Sequence, residues 1–164
     1  MGWYRRTFTL EPGDAGASVF LDFDGVMASP EVYVNGQKAG GWDYGYASFR
    51  VDATRYVKPG VNVLAVRADT RDHRSRWYPG AGIYRKVVMK VRNPVQFAYN
   101  GIFVTTPQVS KEAATVRVAW ELEGSVPAGA EVEVSVAQER DTPMSPTGGP
   151  RSCAAAADGK LSVH

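Results

Sequence analysis

The stretch Arg76-Trp77-Tyr78-Pro79-Gly80-Ala81-Gly82-Ile83-Tyr84-Arg85 lies between two runs that read as strands. Asn62-Val63-Leu64-Ala65-Val66-Arg67 precedes it, and Val87-Val88-Met89-Lys90-Val91 follows it. Pro79 fixes φ, while Gly80 and Gly82 permit backbone angles that a Cβ would forbid, so the stretch reads as a shaped turn held in one tight conformation. From such a frame the aromatic rings and the Arg76 and Arg85 guanidinium groups project as apolar faces with polar tips. They suit stacking on, and hydrogen bonding to, a sugar, a carboxylate or a neighbouring domain.

Working outward, the dominant period is two, and no 12-residue stretch carries a helical stripe. Tyr4, Arg6, Phe8 and Leu10 alternate with Arg5, Thr7 and Thr9, and Val19, Leu21 and Phe23 alternate with Phe20 and Asp22, as in half-buried strands. Pro12-Gly13-Asp14 and Pro59-Gly60 read as turns, and Asp52-Ala53-Thr54-Arg55 as a turn capped by a side chain. Asn35-Gly36 ends a short strand from Glu31 to Val34 and signals a hairpin, because both residues tolerate positive φ. Gly40 to Tyr46 reads as a glycine and aromatic loop, and Asp69 to Ser75 as a charged one. Many short strands at this spacing predict an all-β chain built as a β-sandwich.

Asn93-Pro94 marks the expected boundary between modules. Residues 1 to 95 hold 14 Lys and Arg against 9 Asp and Glu, a balance of +5, whereas residues 96 to 164 hold 5 against 8, a balance of −3. Beyond the boundary, Ile102 to Thr106, Ala114 to Leu122 and Glu131 to Gln138 read as three more alternating strands. Asp141 to Pro150 is loop-like, and Ala154 to Ala157 is too short to assign.

The ordered pieces resemble the N-terminal sugar-binding domain of glycoside hydrolase family 2, the β-galactosidases, β-glucuronidases and β-mannosidases. The resemblance is carried by Arg76 to Arg85 together with Trp3-Tyr4-Arg5-Arg6 and Phe8, Asp22-Phe23-Asp24-Gly25-Val26, Val32-Tyr33-Val34-Asn35-Gly36, and Gly45-Tyr46 with Phe49. Asp52-Ala53-Thr54 and Gly60 to Val66 complete the order. It implies that residues 1–94 form a jelly-roll sugar-binding-like domain and that residues 95–164 open an immunoglobulin-like β-sandwich, which the chain leaves incomplete. Such a sandwich has about 7 strands, and unpaired edges would be open to homo-oligomer formation.

Family 2 enzymes are retaining glycosidases that use two carboxyl groups about 5–5.5 Å apart, carried in the family on a (β/α)₈ barrel of about 250 residues. The chain has no room for that barrel, and the family's Asn-Glu pair is missing: Asn35, Asn62, Asn93 and Asn100 are followed by Gly, Val, Pro and Gly. No catalytic residue is therefore assigned. The expectation is a non-catalytic N-terminal portion of a β-galactosidase-like enzyme, inactive alone, with the absent barrel and carbohydrate as its partners. The resemblance places Asp69 or Asp72 where a loop residue can reach a sugar hydroxyl, with Arg76, Trp77 and Tyr78 at the rim of the same site. The bland alternatives are surface ion pairs of these carboxylates with Arg71, Arg74 or Arg76, and an architectural joint for the aromatics. Trp42 and Tyr44 are candidates for stacking on a sugar face, whereas Tyr46 and Phe49 are expected to pack inside. A stand-alone carbohydrate-binding module and a protein-interaction sandwich are the alternative functions.

Other classes are disfavoured on composition. Cys153 is the only cysteine, and His73 and His164 are the only histidines, which argues against a disulfide framework, a metal site or a cofactor held by them. Eight Lys and Arg from Arg67 to Arg92 are spread over alternating faces without a phosphate-cradling loop or recognition helix, so nucleic acid is not an expected partner. No segment approaches the roughly 20 apolar residues of a membrane helix. No signal peptide is read, a reduced cytoplasm is compatible, and the compartment is left open.

Overall fold

The computed structural model describes residues 1–72, 79–136, 151–156 and 160–163. The chain is all-β, a β-sandwich without a closed barrel among the described residues. It divides into two compact units, Met1–Pro94 and Val95–His164.

In the first unit, β1 (Gly2–Leu10), β7 (Gly60–Ala68), β4 (Glu31–Val34) and β5 (Gln37–Gly41) form one antiparallel sheet in that order. A second sheet has the order β6 (Phe49–Asp52), β2 (Ser18–Phe23), β9 (Val87–Arg92), and β3 (Val26–Met27) pairs with β8 (Gly82–Ile83). The inward residues of both sheets supply the core: Val32, Val34 and Val66 from the first, and Val19, Leu21, Phe23, Phe49 and Val51 from the second. Phe23 and Phe49 stack with ring centroids 4.7 Å apart.

Local chemistry sets the turns. Asn35 (φ 51) and Gly36 (φ 82) reverse β4 into β5. The Asp52 Oδ1 accepts from the Thr54 amide at 2.9 Å, capping the turn into a short 3₁₀ segment, Thr54–Tyr56. Asn62 is fully buried and saturated. Its Oδ1 accepts from Asn35 Nδ2 (2.8 Å) and the Lys58 amide (2.9 Å), while its Nδ2 donates to the carbonyls of Lys58 (2.7 Å) and Gly60 (2.9 Å). This network ties two turns to each other, as a buried amide requires.

In the second unit, β10 (Gln96–Val109), β11 (Ala114–Glu123) and β14 (Lys160–Val163) form one sheet, and β12 (Glu131–Val136) pairs with β13 (Arg151–Ala156). β10 extends well beyond the expected Ile102 to Thr106. It absorbs Gly101 and Pro107 within two register shifts, between Phe97 and Ile102 and between Thr105 and Gln108. An edge strand accepts a proline at a bulge because no second neighbour needs its amide. β13 gives strand structure to Ala154–Ala156, left unassigned from sequence, by pairing Ala154 with Glu133. The loop read at Asp141 to Pro150 and the end of the strand read to Gln138 lie outside the described residues.

Candidate functional site

Of the organising turn, Pro79 to Arg85 is described. Gly80 (φ 77) and Gly82 (φ 95) both occupy the left-handed region expected of them. At Gly82 a Cβ would also run into the Tyr4 hydroxyl. Gly82 and Ile83 form β8 against Val26–Met27. The Tyr84 hydroxyl donates to the Gly45 carbonyl at 2.8 Å, so the turn is fastened to the aromatic loop 42–48. Arg85 lies over the Tyr84 ring, 5.5 Å from its centroid. Arg76, Trp77 and Tyr78 lie outside the described residues.

The remaining acidic candidates and one aromatic meet in a polar pocket of about 630 Å³ beside the end of β7. Asp69, Asp72 and Trp42 line it together with Asp43, Glu31 and Arg71. Asp69 follows β7, and its amide donates to the Ala28 carbonyl at 2.8 Å. Its carboxylate accepts from Arg71 Nη2 (2.6 Å), Arg71 Nε (2.9 Å) and Arg67 Nη2 (2.8 Å). The Arg71 side-chain hydrogen bonds, with the Arg71 amide and then the Arg67 charge behind them, hold this carboxyl far below the usual carboxylate range. Asp69 is thus held as a carboxylate by its two arginines.

Arg67 is the link that the sequence did not disclose. Its Nη1 donates to Glu31 Oε2 at 2.7 Å, while Lys38 Nζ reaches Glu31 Oε1 at 2.6 Å. Lys38, ahead of Arg67, lowers the Glu31 pKa to about 2. The result is a chain Lys38–Glu31–Arg67–Asp69–Arg71 along one wall of the pocket. Glu31 and Arg67 are 36 residues apart and become neighbours only through the β4–β7 register.

Trp42 lines the same pocket with a ring anchored from behind. It stacks on Phe49 with centroids 6.2 Å apart and planes within 3°, continuing the Phe23–Phe49 stack out of the core, and it remains 47% exposed. Tyr44 does not line this pocket; it meets Tyr46 edge-on at 5.8 Å. Phe49 packs inside as expected, but Tyr46 is exposed, which corrects the expectation for it. The buried residue of that loop is Gly45, pressed against Met27 and held by Tyr84, so its neighbour is turned outward. Among the described residues no three His, Cys, Asp or Glu side chains converge as metal ligands.

An exposed indole and an arginine-clamped carboxylate thus line one pocket of a two-sheet, all-β scaffold, and comparison with known proteins gives that scaffold its class. The model of the glycosyl hydrolases family 2 sugar-binding domain matches residues 1–111, and the chain belongs to that family. A β-galactosidase of Bacteroides ovatus is 43% identical over 124 residues, which make up 74% of this chain and 15% of that enzyme. A β-glucuronidase of Formosa agariphila is 30% identical over 143 residues, again 74% of this chain and 15% of the relative. The structure of a β-glycosidase from Bacteroides vulgatus superposes with a TM-score of 0.73 at 36% identity, covering 81% of this chain and 17% of its own. The chain thus spans a small fraction of the length of the relatives it matches.

Proposed function

We propose that this chain is the non-catalytic N-terminal portion of a family 2 β-glycosidase, β-galactosidase-like, that hydrolyses O-glycosidic bonds on a barrel outside these residues. Residues 1–94 are read as its jelly-roll sugar-binding domain, and residues 95–164 as the opening strands of its immunoglobulin-like domain. The observation that carries the reading is Asp69, clamped by Arg67 and Arg71, lining the same pocket as the exposed, core-anchored ring of Trp42. A clamped carboxylate accepts hydrogen bonds from sugar hydroxyls without reorganising, and an indole face covers the CH face of a pyranose. The pocket supports a role at the rim of the substrate site.

In the complete polypeptide, Asp69→Ala lowers kcat/KM for a nitrophenyl β-galactoside by about tenfold or more, the loss of one charged hydrogen bond to substrate. Unchanged kcat/KM in a folded variant removes Asp69 from the site. The purified 164-residue chain turns over neither this substrate nor the β-glucuronide.

A stand-alone carbohydrate-binding role is the second reading, favoured by the exposure of Trp42. It requires saturable sugar binding by the 164-residue chain that Trp42→Ala abolishes; calorimetric titration without binding heat excludes it.

A further inference from the structure

The sandwich of the first unit is open along one seam. β1 ends the four-stranded sheet and β9 ends the three-stranded sheet, and among the described residues each pairs with a single neighbour. Paired residues of antiparallel strands share a face. Tyr4 is opposite the buried Val66 and Met89 is opposite the buried Leu21, so both occupy positions on core faces. Yet Tyr4 is 41% exposed and Met89 36% exposed. Between them runs a largely apolar cleft of about 590 Å³, lined by Tyr4, Arg6 and Phe8 on one side and Val87 and Met89 on the other, with Leu64 in its floor. Protein interiors hold few voids larger than a water molecule, so a gap of this size on two core faces, among the described residues, leaves room for a further layer.

We propose that this cleft is filled by an extended apolar segment of the same polypeptide from outside these 164 residues, pairing with the free edge of β1 or β9. Three observations select that occupant. Both walls are strand edges that, among the described residues, pair with one neighbour each, the setting for strand addition. The chain spans only 15% of the relatives' lengths, so relatives of this family carry ample chain from which such a segment can come. Arg6 stands on the Leu64 face of β1, at the mouth, with no ion-pair partner among the described residues. The segment therefore places apolar side chains in the cleft and an acidic or carbonyl acceptor at Arg6.

The test compares the full-length product of the gene with the 164-residue chain, both in a Cys153→Ser background carrying Met89→Cys. Maleimide labels the new thiol at least about tenfold more slowly in the full-length protein, as burial dictates. Hydrogen exchange on the unsubstituted proteins gives an independent readout: edge amides of β1 or β9 are protected in the full-length protein and open in the short chain. Equal labelling and equal exchange in the two overturn the proposal. Protection already present in the short chain, with a doubled mass, assigns the cleft to a second copy and equally overturns it.

Discussion

The two units are written in the same alternating pattern, but among the described residues only the first turns it into a core. Every buried apolar side chain among the described residues, Trp120 excepted, lies in residues 1–94. In the second unit Ile102 and Val104 share a face with Trp120 and Val118 through the β10–β11 register, yet they are 53% and 58% exposed. The buried indole Nε1 of Trp120 has no hydrogen-bond partner among the described residues. Alternation decides which side chains share a face; burial needs a second layer, and only that layer converts the pattern into stability.

The strongest way to break this comparison is to truncate one ring in each unit. Phe23→Ala should cost about 3–5 kcal/mol, because it opens a cavity under the Phe23–Phe49–Trp42 stack, whereas Phe103→Ala, on a largely exposed ring, should cost under about 0.5 kcal/mol. Urea unfolding of the chain measures both, and similar losses would refute the contrast. Asn62→Ala sharpens it on the polar side. Four hydrogen bonds vanish in a fully buried site, with an expected loss of about 2–3 kcal/mol, and an unfolding midpoint near that of the parent would count against the network.

A pH dependence follows from Asp22 on the outer face of the second sheet. Arg50 binds it at 2.6 and 2.9 Å and Lys90 at 2.8 Å. The Arg50 hydrogen bonds lead in lowering its pKa to about 2. The folded state thus holds this proton less tightly than the unfolded chain does. The stabilisation is complete above about pH 4 and is lost as pH falls through about 2. About 1–2 kcal/mol is at stake after partial screening by solvent. Asp22→Asn should flatten unfolding free energy across that window, and an unaltered pH profile would contradict the assignment. The smallest effect expected is that of Tyr84→Phe, about 1 kcal/mol for the single bond to Gly45, read as a lower unfolding midpoint.

What could be read from the sequence was what is decided locally. The Asn35-Gly36 reversal, the Asp52 cap and the two left-handed glycines follow from residue chemistry within a few positions. Phe49 and Tyr46 were both expected inside from their place in the family's motifs; Phe49 begins β6 and is buried, whereas Tyr46 lies in a loop held by Gly45 and is exposed. The reach of β10 was hidden by Pro107, which argues against a strand until its neighbours are known to be on one side only. At the candidate site, Asp69 and Asp72 were singled out from their place in the family's order of motifs, and Trp42 as a free ring on a glycine-rich loop. The bridge through Arg67 to Glu31 was not, because a strand register joins residues 36 positions apart.

An immunoblot of source cells with an antibody against this chain tests most directly whether these two units work as part of a larger glycosidase. The expected band is far above 17.8 kDa, with room for a barrel of about 250 further residues. A single band at 17.8 kDa would contradict that reading and would make the 164-residue chain itself the working protein.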